Sequence, residues 1–197
     1  MIYLIRHGIT NKNKSKVLIS QTDDELNELG LRQAEKAAIS LEKKNISKIF
    51  CSPLKRTIQT ATPISNKTGI NILVNNCLRE RYLGIYENLS MTDLINERKK
   101  RNHFFNDPTQ DWNNVEEVEK DENITDRVFS YLTEFDYQKS NIAIFTHAGV
   151  IKSILYHLFN IPPTTFNCFK IRYGTIVEID FPNTYPQILS ITECHVN

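Results

Sequence analysis

No stretch of this sequence approaches the roughly 18 to 20 uninterrupted apolar residues that a membrane-spanning helix requires. Its start, MIYLIRHGITNKNK, has neither a long apolar run nor a small-residue cleavage site, so the expectation is a cytoplasmic protein with no membrane partner. Net charge is missing too: 24 Lys and Arg stand against 23 Asp and Glu, leaving +1. No global field attracts DNA, RNA or an anionic membrane, and selectivity for anions must be local. The four cysteines, Cys51, Cys77, Cys168 and Cys194, form no C-x-x-C pair. Most lie in or beside apolar runs, which predicts buried free thiols and no metal site. Neither G-x-x-x-x-G-K-[ST] nor G-x-G-x-x-G occurs, which excludes a P-loop nucleotide hydrolase and a Rossmann dinucleotide site. Repeats, low-complexity tracts and dividing linkers are absent as well.

What the chain has is an ordinary globular composition, 197 residues with 40% hydrophobic and 24% charged. That suits one domain carrying at most a small insertion, with enough chain to bury a core. Ile2-Tyr3-Leu4-Ile5 is apolar and β-rich and stops at Arg6-His7-Gly8, reading as a buried strand that delivers polar residues to its C-terminal edge. Leu31, Ala34, Ala37, Ala38 and Leu41 share one face of a helix expected from Leu26 to Lys43. A strand over Ile46 to Cys51 leads to Ser52-Pro53 and a helix through Ala61, with the proline in its first turn. A short strand at Ile70 to Val74, a helix from Asn123 to Phe135, a strand from Asn141 to Phe145 and a helix from Val150 to Leu158 continue the rhythm. Residues 88–120 are polar and weakly periodic, and form the candidate insertion. Gly174 to Phe181 and Gln187 to Thr192, separated by Pro182 and Pro186, are expected to form a terminal hairpin or edge pair. The sum predicts a three-layer α/β/α sandwich around a mostly parallel sheet.

In open α/β sheets, ligands bind outside the carboxyl ends of the strands. Two strands here end in a histidine closely followed by glycine, Arg6-His7-Gly8 and His147-Ala148-Gly149, and both are expected to face one pocket. Taken singly, either histidine is compatible with a structural role; with Arg6 beside them they form a phosphate-directed set. A neighbouring guanidinium disfavours imidazole protonation, which makes a poor general base but leaves a competent neutral nucleophile toward phosphorus.

Further blocks accompany these. Arg6-His7-Gly8-Ile9-Thr10-Asn11-Lys12-Asn13 fits R-H-G-x-T-x-x-N, and Asp24-Glu25-Leu26 with Gly30-Leu31-Arg32-Gln33-Ala34 fits D-x-L-x-x-x-G-x-x-Q-A. Ser52 to Ala61 fits S-P-L-x-R-x-x-Q-T-A, Leu78 to Asn88 is similar to L-x-E-x-x-x-G-x-W-E-G, and Thr146 to Ile151 carries the second histidine. In this order the blocks resemble the histidine phosphatase superfamily, also called the phosphoglycerate mutase-like family, over residues 2 to about 155.

The resemblance implies that His7 attacks in line to form a phosphohistidine, which water then hydrolyses, with no metal and no cofactor. Arg6, Arg56 and His147 would supply donors to the phosphoryl oxygens, and the arginine fork suits that geometry. By the same resemblance Asn13 adds a neutral donor, and Thr10 and Ala148 complete the phosphate contacts. Glu80 would protonate the leaving alkoxide and later deprotonate the attacking water. Outside its block, Glu80 in the run Arg79-Glu80-Arg81 reads as a solvated surface residue.

The expected activity is hydrolysis of a small phosphomonoester, a sugar phosphate or related metabolite, by a monomer or homodimer, with the 88–120 insertion covering the site. One alternative is a cofactor-dependent phosphoglycerate mutase; the modest middle stretch and the sequence Tyr82-Leu83-Gly84-Ile85-Tyr86 argue against it. Another is a non-catalytic phospho-ligand binder, which has no need of a nucleophile paired with a proton donor. A cysteine phosphatase fails because only four residues separate Cys51 from Arg56, where C-x5-R needs five. Departures from the family pattern are Asn88 for glycine, Thr22 for glycine and Tyr86 for tryptophan, all expected at the rim. His103, His157, His195, Asp23-Asp24 and Glu116-Glu117 are assigned no role, and Glu97 to Arg101 reads as a solvated helix face rather than a basic lip.

Overall fold

The computed structural model describes residues 1–101, 112, 115–136, 140–162, 168–182 and 185–194. His103 and His195, and parts of the 88–120 stretch, lie outside them. In chain order the elements are β1 (Ile2–Arg6), α1 (Asn11–Lys14), α2 (Glu28–Leu41), β2 (Lys48–Cys51), α3 (Lys55–Thr68), β3 (Ile72–Val74), α4 (Met91–Lys100), α5 (Asp121–Leu132), β4 (Ile142–Thr146), α6 (Ala148–Leu158), β5 (Thr175–Asp180) and β6 (Gln187–Glu193). The six strands form one sheet in the order β3-β2-β4-β1-β5-β6. The first four of these run parallel, while β5 and β6 form the terminal antiparallel hairpin.

Strand alternation divides the core between the two sheet faces. On one, Ile2, Leu4, Phe50, Ile142, Ile144, Val177 and Ile179 pack against Ile124, Val128 and Leu132 of α5 and Val150, Ile151, Ile154 and Leu155 of α6. On the other, Tyr3, Ile5, Ile49, Cys51, Ala143, Phe145 and Ile176 meet Ala37, Ala38 and Leu41 of α2 and Ala61 and Ile64 of α3. This is the expected three-layer sandwich. Leu83, Tyr86, Leu94, Trp112, Val115 and Val118 make a separate small core.

Some local expectations change. Leu31 is 47% exposed; the buried stripe of α2 begins instead at Gly30, where the helix backbone packs against Ile9. Pro53 precedes α3 rather than entering its first turn, and the helix continues past Ala61 because Ile64 extends its buried stripe. It stops at Gly69, whose φ of 72° is left-handed. The middle stretch contains α4, capped by the Ser90 hydroxyl accepting from the Asp93 N–H. Within it Arg98 is buried rather than solvated, its guanidinium 4.1 Å from the Trp112 ring centroid. Cys168 is exposed, contrary to the buried-thiol expectation for the set.

Candidate active site

Sheet register brings the two histidines together. β1 and β4 are neighbours paired Arg6↔Thr146, so the residues that follow each strand leave the sheet side by side. The His7 N–H donates to the Thr146 carbonyl at 3.1 Å, and the imidazole rings stand 5.2 Å apart between centroids. Both rings are buried. His7 Nδ1 lies 2.7 Å from the Gly8 carbonyl. A carbonyl only accepts, so Nδ1 carries the proton and the neutral ring presents its lone pair at Nε2. His147 Nε2 is 2.8 Å from the Ser52 hydroxyl. With that hydroxyl donating, Nδ1–H of His147 is the ring's remaining donor.

Arg6 stacks its guanidinium on Tyr173, 3.7 Å from the ring centroid, and donates Nη1 to the Ile171 carbonyl at 2.6 Å. Arg56 is buried and donates Nη1 to the Thr22 carbonyl at 2.7 Å and Nη2 to the Ser20 carbonyl at 2.6 Å. Among the described residues, Arg6 Nε, Arg56 Nε and His147 Nδ1 are buried with no partner. These side chains surround His7, and unsatisfied buried donors are costly unless an acceptor meets them. Burial first, then the charges of Arg56 and Arg6, holds His7 well below the ordinary histidine value; burial, Arg56, His7 and Arg6 do the same to His147. The linkage has a definite sign. Below about pH 6.5 an unfolded chain protonates both rings while the folded one resists, so stability is lost as pH falls through that region. Thermal unfolding of the wild type should fall more between pH 7 and 5 than that of a His7→Asn variant.

The motif residues around these groups hold the loop after β1. Gly8 N–H donates to Thr60 Oγ at 3.1 Å, Ile9 N–H to Gln33 Oε1 at 2.9 Å, and Leu26 N–H to Gln59 Oε1 at 2.7 Å. Thr10 caps α1: its hydroxyl accepts from the Asn13 N–H, and Asn13 Oδ1 accepts from the Thr10 N–H. Asn13 thus has its NH2 to offer a ligand.

Beside this set lies a cleft of about 370 Å³, and Arg6, Asn13, Glu80, Ala148 and Gly149 are on its walls. His7, Thr10, Arg56 and His147 are not; they are buried, with Arg56 bonded to the Thr22 and Ser20 carbonyls and His147 to the Ser52 hydroxyl. Glu80 Oε1 accepts from the Arg81 N–H at 2.8 Å and Oε2 from the Gly149 N–H, at the start of α6, at 3.4 Å. The cleft also contains Lys152, Tyr173 and Trp112, which the sequence blocks did not single out. Lys152 follows His147 by five residues, and its position one turn into α6 is the signal that was available. Burial, then Arg6, lowers its pKa. Among the described residues no group of three or more His, Cys, Asp or Glu side chains could hold a metal ion, and no helix is long and apolar enough to cross a membrane.

The profile of the histidine phosphatase superfamily (branch 1) matches residues 2–193. This chain belongs to that superfamily. Phosphoglycerate mutase-like protein 4 of Arabidopsis thaliana is 31% identical over 78% of this chain and 68% of its own length. Probable phosphoglycerate mutase GpmB of Yersinia pestis is 35% identical over 50% of this chain, which spans about half of that relative, 46%. Among solved structures, a mycobacterial glucosyl-3-phosphoglycerate phosphatase complexed with VO3 superposes with a TM-score of 0.82 at 21% identity, covering 95% of this chain and 96% of that one. At that identity the likeness is one of fold.

Two departures of this chain from the family pattern touch each other. Asn88 takes φ 63°, a left-handed conformation in which glycine is at ease and asparagine is the usual substitute. Its Nδ2 lies 3.2 Å from the hydroxyl of Thr22, which also donates to Glu87 Oε1 at 2.7 Å. Tyr86, in place of tryptophan, is fully buried against Trp112. Cys51 is no rival nucleophile, since burial pushes its thiol up to about 12.

Proposed function

We propose that this chain hydrolyses a small phosphomonoester, without a metal, through a phosphohistidine on Nε2 of His7. The observation that carries the reading is the set of buried donors with no partner among the described residues, Arg6 Nε, Arg56 Nε and His147 Nδ1, around an imidazole whose lone pair is at Nε2. A phosphomonoester near neutral pH carries about −1.5 to −2 charge and needs several such donors. Nε2 attacks phosphorus as the ester P–O bond breaks, and the ring becomes a cation whose Nδ1–H remains bonded to the Gly8 carbonyl. Glu80 gives its proton to the departing alkoxide. A water then attacks phosphorus, Glu80 takes a proton from it, the N–P bond breaks and phosphate leaves. Asn13 NH2 and the backbone at Ala148 are further contacts for the phosphoryl oxygens, and Thr10 acts by capping α1. Of the described residues in the 88–120 stretch, Trp112 is on the cleft wall, which supports a covering role for its part of the stretch.

The names of the curated relatives favour a mutase, which would return the phosphoryl group to a second hydroxyl instead of to water. Phosphate release from a panel of sugar phosphates, bisphosphates, phosphoglycerates and α-ribazole phosphate, in EDTA, separates the two. Release that persists in EDTA supports the hydrolase, whereas isomerised phosphoglycerate without free phosphate rejects it.

Gly149 offers a sharper probe of Glu80. A Cβ there would overlap Glu80 Oε1, an atom at the end of a movable side chain. Gly149→Ala should therefore lower kcat by about 10²- to 10⁴-fold, the usual worth of a proton-transfer group, with little change in melting temperature. Steady-state kinetics beside a thermal melt checks both halves.

A further inference from the structure

Arg81 looks like part of a charged surface run, but it is 2% exposed and its side chain points into the protein. Its Nη2 donates to Asp121 Oδ1 at the start of α5, and its Nη1 to the Glu119 carbonyl at 2.6 Å. The same Asp121 oxygen accepts from the Ser153 hydroxyl of α6 at 2.5 Å. That hydroxyl also lies 3.1 Å from the carbonyl of Gly149, one turn earlier in α6. Gly149 and Arg81 are the two residues whose N–H groups hold the oxygens of Glu80. The contacts therefore close a ring, Glu80 to Arg81 to Asp121 to Ser153 to Gly149 and back to Glu80, joining the 80–81 backbone to α5 and α6. A second brace secures the same backbone from outside. Arg127 of α5 donates to the Arg79 carbonyl at 2.8 Å and pairs with Glu119, whose carboxylate also accepts from the Tyr82 N–H at 3.1 Å.

We propose that Arg81, Asp121 and Ser153 are positioning residues that fix the Glu80 carboxyl for proton transfer to the leaving group; this rests on the reading of Glu80 as proton donor. None of the three carries the proton. Their effect comes from geometry, because Arg81 has little rotational freedom once its guanidinium is tied to α5, and the peptide N–H facing Glu80 Oε1 is then fixed too. Bringing α5 and α6 onto one carboxylate oxygen sets the second N–H, that of Gly149, relative to the first.

Leaving-group dependence tests this, because a merely structural defect slows every substrate alike. A phosphate ester of an acidic phenol, such as 4-nitrophenyl phosphate, departs as its anion without a proton. An alkyl phosphate needs one. Asp121→Asn and Ser153→Ala should lower kcat/KM by about 10- to 100-fold on an alkyl phosphate, a fraction of the full worth of an acid catalyst, with only a small effect on 4-nitrophenyl phosphate. Ser153→Ala removes one hydroxyl and leaves the buried ion pair in place, so it reports even where Asp121→Asn fails to fold. Glu80→Gln is the reference and should show the same split more strongly. Equal losses on both esters in the folded Ser153→Ala variant, with the split present in Glu80→Gln, would overturn the positioning role alone. No split in Glu80→Gln would overturn the proton-donor reading, and the proposal with it.

Discussion

His7→Ala is expected to lose at least about 10⁴-fold in turnover, the scale seen when a catalytic nucleophile is removed, while still binding a phosphate-like anion. The two halves of this result come from different atoms. In the proposed mechanism Nε2 of His7 is the attacking lone pair, and Cys51 does not replace it, being buried with its thiol pushed up to about 12. His147 has Nε2 committed to Ser52. Binding in the proposed mechanism depends on Arg6, Arg56 and His147, which the substitution leaves in place. The chain's single tryptophan, Trp112, is on the cleft wall, so its fluorescence reports vanadate or phosphate binding directly. Labelling the wild type with a phosphorylated substrate and quenching the reaction should trap an acid-labile phosphoramidate that His7→Ala lacks. Full turnover in the variant would reject the phosphohistidine route. Unchanged ligand affinity, with no turnover in the wild type on any ester, would point instead to a phospho-ligand binder.

The second large effect is on stability. Gly30→Ala should destabilise the fold by about 3 kcal/mol, the upper part of the usual range for overpacking a tight site. That corresponds to roughly 6 to 12 °C in melting temperature for a chain of this size. A Cβ at Gly30 would overlap the Ile9 carbonyl oxygen, and one at Gly8 would lie 2.5 Å from the Gly30 carbonyl oxygen. Both obstacles are backbone, so relief requires moving α2 away from the loop that carries His7. Gly69→Ala is the comparison. A Cβ there meets nothing, and the cost is that of a left-handed φ of 72°, about 1 to 2 kcal/mol. Thermal melts of the two variants separate close packing from backbone preference. Equal shifts would reject the packing argument. A Gly30→Ala variant that folds should also lose activity disproportionately, because the displaced backbone is contiguous with His7.

Much of this was legible in local patterns. Short apolar runs ending in Arg6-His7 and Thr146-His147 mark strand ends, and the blocks around Ser52, Arg56 and Glu80 mark what accompanies them. The blocks do not reveal that Gln33, Gln59 and Thr60 accept hydrogen bonds from the backbone at Ile9, Leu26 and Gly8. Those contacts join residues far apart in the chain, and a polar side chain looks the same in sequence whether it faces water or holds a loop. Leu31 and Gly30 exchange places on α2 for a related reason: helical spacing allows either stripe, and the close approach of Ile9 selects the residue with no side chain. Arg81 and Arg98 were misleading in the same way, as charged residues whose buried partners, Asp121 and the Trp112 ring, come from distant segments.

By itself, then, the sequence determined the α/β class, the strand ends at which the two histidines stand and the family to which the chain belongs, because each is written in residues close together along the chain. Only the tertiary structure decided which nitrogen of His7 is free, which donors around it lack partners among the described residues and how the Glu80 carboxyl is held. Those outcomes depend on which carbonyl, hydroxyl or carboxylate lies within about 3 Å, a distance set by packing between elements and not by spacing along the chain.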